Sequence, residues 1–348
     1  MKNHRGYLSL IAGTALLMSA FLFTDDFVRG IETGLALCGK IVIPSLFPFL
    51  IASSLAGSGN MPPVVKKFIG PVTRLLFGLP TESISAIILG QLGGYLSGPK
   101  AIQSLRSNGV INKSQAERML LFSVNAGMGF SVNAIGNGML GSREAGKILL
   151  ISLCISSIVP CVAGRFAIKD SSETTQKSNI KTAPFSACVV NSVCSGTKAM
   201  LNACGFVIVF SGIGCVAERL VHPPFIRLIL GSFLEVTKGC AALSGKVSLP
   251  VIAAVCAFGG LCVHMQIFAL DDDFSVNIPR FFFFRLLHAG AAYAVCRVIL
   301  HFHPVTLPAS VTFYSNAEVF SFSAPAAISL LFLCALLILD LDNNRKIC

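Results

Sequence analysis

Long apolar segments separated by short basic loops run through the whole chain, and they constrain its fold more than any other feature. Of the 348 residues, 54% are hydrophobic and only 12% are charged. An average globular protein has about 25% charged residues, and about 20 apolar residues suffice to cross a bilayer as a helix. The sequence therefore predicts an all-α polytopic membrane protein that lies in a lipid bilayer.

The net charge of +11 does not indicate a nucleic-acid partner. The basic residues are scattered between apolar segments, where Lys and Arg set the orientation of membrane helices. The 13 cysteines show no CxxC spacing and mostly lie inside apolar runs, where cysteine packs as a small hydrophobe. The sequence has no Ser/His/Asp order and no metal motif. We therefore expect a protein that is not an enzyme, with no metal and no cofactor.

The apolar segments divide the chain into four parts. Residues 1–25 hold a first transmembrane helix, which we expect to stay uncleaved because small residues are poorly placed for signal-peptide cleavage. A first repeat at 26–168 and a second at 185–348 flank a polar cytoplasmic linker at 169–184. The predicted crossings are 7–23, 41–57, 119–140, 147–164, 201–217, 279–300 and 325–341.

Two short glycine-rich runs interrupt this series. The first contains GQLGGYLSGPK at 90–100 and is followed by a basic loop at 100–118. A run too short to span, between basic flanks, predicts a re-entrant hairpin, which is tolerated where protein or a watery cavity surrounds it. The run at 248–263 has a similar glycine pair, Gly259 and Gly260, at a shift of 166 residues from Gly93 and Gly94, and Ala126 and Gly127 match Ala289 and Gly290 at a shift of 163. Three crossings separate the two copies, so the second repeat is predicted to be inverted.

Paired broken segments in two inverted halves are a pointer to the binding site of a transporter. In the first hairpin, Ser97 is predicted to cap a helix whose first turn contains Pro99, and a helix N-terminus attracts anions. Lys100 adds a full positive charge. In the second hairpin, His264 and Gln266 supply hydrogen bonds and a group that titrates near neutral pH. These residues predict a site for a small anion, completed by Asn125 and His288 from the broken helices.

Each of these residues also has a purely structural interpretation. Lys100 is long enough to place its ammonium group at the membrane interface. Asn125 suits a helix kink without a ligand, and His264 and His288 suit hydrogen-bonded packing. Glycines in membrane helices often serve close helix packing. The sequence leaves both sets of interpretations open.

Three motifs resemble a known family. GKIVIPSLFPFLIASSL, GGYLSGPKAI and SQAERMLLFSVNAG are similar to the nucleoside-recognition or Gate domain, and more closely to the YlbJ/SpoVV-like sporulation integral membrane proteins. The family commonly shows GYPxGAK and an NNSGP-like element, which read GYLSGPK and VNAGMG here. Leu96, Pro99 and Ala126 depart from the pattern. The matching positions are Gly94, Tyr95, Gly98, Lys100, Asn125 and Gly127.

The resemblance implies an architecture shared with concentrative nucleoside transporters. It also implies a role in endospore formation, in which the protein moves dipicolinate, a small aromatic dicarboxylate, across the outer forespore membrane. The coupling ion would be H⁺ or Na⁺. The alternatives are a sporulation scaffold or assembly factor without transport and a nucleoside transporter. The predicted substrate-binding residues are Gly94, Tyr95, Ser97, Gly98, Lys100, Asn125, Gly127, Gly260, His264, Gln266 and His288.

Overall fold

The computed structural model describes residues 2–58, 67–68, 70–71, 73–168, 184–270 and 276–306. Within these ranges every regular element is a helix and no strand is present. Most of the predicted linker at 169–184 and the whole predicted crossing at 325–341 lie outside the described residues.

The helices are short in the middle of each half and long at its flanks. The α-helices of the described ranges are α1 Lys2–Leu22, α2 Thr24–Leu37, α3 Ile43–Ser58, α4 Ile84–Leu92, α5 Ser97–Ser107, α6 Lys113–Phe122, α7 Arg143–Ser156, α8 Ile158–Ala167, α9 Phe185–Leu220, α10 Pro224–Leu234, α11 Val236–Leu243, α12 Leu249–Phe258, α13 Gly260–Phe268 and α14 Ile278–Phe302. Cys38–Val42, Thr73–Phe77 and Gly129–Met139 are π-helical, and Thr81–Ser83 is a 3₁₀-helix.

Five segments of the described chain are long and apolar enough to cross a membrane. They are Thr24–Ala52, Arg143–Ala167, Phe185–Leu220, Leu249–Phe268 and Ile278–Phe302. Four of them overlap predicted crossings, whereas Leu249–Phe268 was expected to be too short. Large apolar side chains such as Ile151, Leu201 and Val298 are exposed on their outer faces. A surface of this kind suits lipid, and the protein is a multi-pass membrane protein.

Residues 81–107 form a helix hairpin, which we call hairpin A. The helices α4 and α5 pack against each other and are joined by residues 93–96. Gly94 has a φ of 106°, a left-handed conformation that glycine adopts without steric cost. The glycine pair of the sequence therefore makes the turn as expected. Entry and return of hairpin A on one side of the membrane stays a prediction.

The second hairpin lies elsewhere than the sequence predicts. The helices α10 and α11 pack against each other and turn at Glu235, and we call residues 224–243 hairpin B. The predicted hairpin at 248–263 is wrong, because those residues belong to α12 and α13, which follow one another in a single candidate crossing of 20 residues. The predicted pairing of Gly93 and Gly94 with Gly259 and Gly260 is therefore wrong in register.

The helix that follows each hairpin is interrupted. After hairpin A, α6 ends at Phe122, and residues 123–127, which we call break A, are not helical. After hairpin B, α12 ends at Phe258, and Gly259 and Gly260, which we call break B, have φ values of 90° and 75°. The predicted crossing at 119–140 is thus not one continuous helix, because the backbone is unwound at residues 123–127 around Asn125.

Each hairpin turn packs directly on the break that follows it. A Cβ atom at Gly127 in break A would overlap the backbone of Leu92, Gly93 and Gly94 in hairpin A. A Cβ atom at Gly260 would lie 3.1 Å from the amide nitrogen of Val236 in hairpin B. In both halves the hairpin turn thus contacts the break that follows it. The predicted duplication of the fold and its inversion across the membrane stay predictions.

Candidate functional site

The turns of the two hairpins meet at a small cavity. Hairpin A contributes residues 93–97 and hairpin B contributes residues 235–237. The remaining wall is mostly apolar and comes from α3 and its preceding turn, the π-helix after break A, α9 and α13. The cavity measures about 30 Å³, enough for about one water molecule. Both α5 and α11 begin at this cavity, so two helix N-termini face it.

Glu235 is the acidic side chain in the cavity wall. It is only 2% exposed, and its two carboxylate oxygens accept hydrogen bonds from the backbone N–H groups of Thr237 (2.9 Å) and Lys238 (2.5 Å). Glu235 is therefore the N-cap of α11. It lies outside the five candidate crossings, and burial raises the pKa of its carboxyl although the two N–H groups oppose that rise.

Four predicted site residues line the cavity, namely Gly94, Tyr95, Ser97 and Gln266. Ser97 does not cap α5 as predicted, because Leu96 is the N-cap and the Ser97 hydroxyl donates to Gly93 O at 3.0 Å. The Tyr95 hydroxyl donates to Cys256 O at 2.9 Å and ties hairpin A to the end of α12. These groups position the cavity wall through hydrogen bonds to protein.

Asn125 contacts hairpin A and is not part of the cavity wall. Its side-chain amide donates to Gln91 Oε1 at 2.6 Å, and Gln91 Nε2 donates to Phe122 O at 3.0 Å. The pair satisfies the last carbonyl of α6 where the helix stops. Gln91 lies inside the predicted hairpin but was not singled out from the sequence, although a buried amide in an apolar run is a signal for such a contact.

The two predicted histidines pack inside the protein away from the cavity. His264 Nε2 donates to Phe258 O at 2.8 Å, and its ring lies edge-on to Phe258, Phe281 and Phe282. His288 Nε2 lies 3.0 Å from the Ser156 hydroxyl on α7. Both contacts match the packing interpretation, and neither histidine appears in the wall of the cavity.

Lys100 and Gly98 also lie outside the cavity wall. The Lys100 ammonium group donates to Ser195 O on α9 at 2.9 Å, and burial lowers its pKa. A Cβ atom at Gly98 would overlap the carbonyl oxygen of Ser123 in break A, so Gly98 serves close packing like Gly127 and Gly260. The predicted ring of polar groups therefore does not assemble as one site in this structure.

Arg285 joins the two breaks and was missed in the sequence. Its side chain on α14 is fully buried. Nη1 donates to Val124 O at 2.7 Å in break A, Nε donates to Phe258 O at 3.2 Å, and Nη2 donates to Ala257 O. The signal was available, because an Arg within the apolar run FFFFRLLH has to find partners inside the protein.

Comparison with known proteins finds a relative that matches this chain over most of both sequences. The chain is 24% identical over 343 residues to the "Sporulation integral membrane protein YlbJ" of Bacillus subtilis (strain 168), covering 84% of this chain and 83% of the relative. No family model matches the chain. No solved structure matches it. The chain is thus similar over most of its length to YlbJ, and its predicted resemblance to YlbJ-like sporulation integral membrane proteins is confirmed.

Proposed function

We propose that the protein carries a small anionic solute across a membrane of the sporulating cell, and that the solute binds between the turns of hairpins A and B. The observation that carries the proposal is the meeting of two helix hairpins at one cavity beside two broken helices. In secondary transporters, substrate sites lie at the interface of two repeats and are built from discontinuous helices. The similarity to a sporulation integral membrane protein supports the cellular setting.

The charge of the solute follows from the two helix N-termini. Each carries a partial positive charge of about half an elementary charge, together with backbone N–H groups that lack partners within the helix. Such ends favour carboxylates and phosphates. The Glu235 carboxyl already occupies the N-terminus of α11, and a second negative charge beside it is unfavourable. An anion therefore binds when Glu235 is protonated, which makes H⁺ the proposed coupling ion.

The size of the cavity implies movement during transport. A space of about 30 Å³ does not hold an aromatic dicarboxylate, so the hairpin turns have to separate before such a solute enters. Gly94, Gly259 and Gly260 have positive φ values at the turn and at break B, where rotation of the backbone is least restricted. The described structure then corresponds to a closed state of the carrier, from which either face opens in turn.

Proteoliposomes test the proposal directly. Purified protein in liposomes should take up labelled dipicolinate, the solute that the family resemblance implies, faster than empty liposomes do, and uptake should rise with an inward proton gradient. Ala203 lines the cavity, so Ala203→Val should slow uptake. Gly205→Ala on the same helix is the matched control, because an added Cβ there meets nothing within 4 Å.

Three results would redirect the assignment. Faster uptake of uridine than of dipicolinate would favour a nucleoside transporter. Uptake of neither solute by folded protein would favour a scaffold or assembly role in sporulation. Equal uptake by the wild type and Ala203→Val, with equal stability, would remove the cavity from the transport path.

Lys100 provides a second test of the site. Because its ammonium group is bound to Ser195 O, Lys100→Met should leave the affinity for the solute within about twofold while lowering the thermal unfolding temperature through loss of one charged hydrogen bond. Lys100→Arg should recover part of that stability. Calorimetry and thermal unfolding of the purified variants measure the two effects. A tenfold weaker affinity at unchanged stability would instead show that Lys100 contacts the solute.

A further inference from the structure

Three backbone carbonyls from two separate helix breaks converge on the Arg285 guanidinium. Val124 O belongs to break A, while Ala257 O and Phe258 O belong to the last turn of α12, directly before break B. Ala257 and Phe258 lie at the C-terminal end of α12, where carbonyls have no partner within the helix, and Val124 lies in the non-helical break A. Arg285 comes from a third element, α14, and satisfies all three with its planar set of donors.

The electrostatics of this position are those of a cation site. Two of the carbonyls, Ala257 O and Phe258 O, come from the C-terminal end of α12, which carries partial negative charge, and the third, Val124 O, comes from break A two residues beyond the end of α6. Within the described ranges no carboxylate forms an ion pair with Arg285. The buried positive charge is therefore balanced by peptide dipoles. Guanidinium also stays charged when buried, so the charge is permanent.

Unwound carbonyls and helix C-termini are the groups that hold Na⁺ in secondary transporters with broken helices. We propose that the Arg285 guanidinium is a tethered cation that occupies a Na⁺-type carbonyl site, so that this protein neither binds nor needs Na⁺ at its two helix breaks. The proposal that Arg285 occupies the carbonyl site is argued from the observed contacts alone. The consequence that solute transport is independent of Na⁺ rests on the proposed function.

Thermal unfolding of the purified protein tests the occupancy without any transport assay. The unfolding temperature of the wild type should be equal in sodium, potassium and choline chloride at one ionic strength. Arg285→Ala should unfold roughly 5–10 °C lower, because the buried carbonyls Val124 O and Ala257 O lose the Arg285 donors, whereas Phe258 O keeps the hydrogen bond from His264 Nε2. Low-millimolar guanidinium or added Na⁺ should restore part of that loss, whereas choline is too large to enter and should restore none.

Two further variants keep the test decisive. Arg297→Ala removes an exposed arginine from the same helix and should show neither the loss nor the rescue. If Arg285→Ala does not fold, Arg285→Lys retains a cation at the site and should be as insensitive to Na⁺ as the wild type. Specific stabilisation of the wild type or of Arg285→Lys by Na⁺ would overturn the proposal. Absence of rescue of a folded Arg285→Ala by both cations would overturn it as well.

The predicted Na⁺ independence of transport is measured separately, by dipicolinate uptake into proteoliposomes. If dipicolinate uptake proves independent of Na⁺ and the unfolding results agree, both the occupancy of the carbonyl site by Arg285 and the Na⁺ independence of transport are supported. If no solute is transported but Arg285→Ala is rescued by a cation, the proposed function fails and the occupancy stands. Na⁺-driven uptake by the wild type would refute the consequence for coupling.

Discussion

Gly127→Ala should leave little folded protein. The added Cβ would lie 2.5 Å from Leu92 O and 2.6 Å from Gly93 C, and it would also overlap the amide of Gly94. All three atoms belong to the backbone of hairpin A, which cannot yield as a flexible side chain does. We expect a loss of about 3 kcal/mol or more in the free energy of unfolding, at the upper end for overpacked interiors. Yield after membrane extraction and thermal unfolding in detergent measure the effect.

Gly290→Ala is the matched control for this change. Gly290 lies within α14, and an added Cβ there meets nothing within 4 Å. Because alanine favours the helix more than glycine does, this variant should be as stable as the wild type or slightly more stable. Wild-type stability of Gly127→Ala would show that hairpin A and break A are not in backbone contact in the membrane.

Glu235→Gln should abolish the dependence of solute uptake on pH and lower its maximal rate at least tenfold, which corresponds to roughly 1.4 kcal/mol in the barrier. The amide keeps the shape of the carboxyl in the cavity wall, but it neither gains nor loses a proton. It also replaces one acceptor oxygen, so one of the N–H groups of Thr237 and Lys238 loses its partner. Initial rates of uptake into proteoliposomes at several external pH values measure both effects.

Glu235→Asp separates titration from helix capping. Aspartate is an effective N-cap and still titrates, so this variant should keep a pH-dependent rate. The titratable groups around the carboxyl are Cys38, Tyr95, Lys238, Cys240 and Cys262. All of them are unchanged in both variants, as is Glu218 on α9, which forms an ion pair with Lys238 at 2.9 Å. A pH dependence retained in Glu235→Gln would assign the proton to one of these neighbours.

The stability of the protein should also depend on the protonation of the Glu235 carboxyl. Because burial raises the pKa of Glu235, the folded state holds the proton more tightly than the unfolded state does. This contribution to stability is complete below the unfolded-state pKa and is lost as pH rises through the folded-state pKa. The unfolding temperature of Glu235→Gln should therefore fall less steeply than that of the wild type over this pH range.

The fold could be predicted from the sequence where a single residue type, such as glycine, determines the backbone conformation. The backbone turns at Gly94, where φ is 106°, so the glycine pair Gly93 and Gly94 marks the turn of hairpin A in the sequence. Hairpin B turns at Glu235 without a glycine, within an apolar run that reads as continuous helix. The second hairpin was therefore predicted at the glycine pair 259–260, although this pair interrupts a crossing helix. Local sequence shows where a chain bends, but the contact of α10 with α11 depends on tertiary packing.

The candidate site was less predictable because polar residues in a membrane protein serve two purposes. Asn125, His264 and His288 were chosen as ligand groups, and the structure shows each bonded to its own protein. Arg285 and Gln91, which hold the breaks together, have the same sequence signature of a polar side chain in an apolar run. Which polar side chain faces a cavity depends on helix rotation, and short broken helices carry too few residues to define it.

The length of α9 gives a scale for the depth of the hairpins. No charged side chain occurs between Lys198 and Glu218. The two residues are 20 positions apart and so lie about 30 Å apart along the helix axis, which matches the roughly 30 Å of a hydrocarbon core. Ser195 lies one turn beyond Lys198, so if this uncharged stretch spans the hydrocarbon core, the Lys100 ammonium group bound to Ser195 O lies at the level of the lipid headgroups. The turn of hairpin A begins less than two helical turns from Lys100. A solute arriving from that face would thus have a short route to the cavity, and the greater part of the permeability barrier would lie on the opposite side.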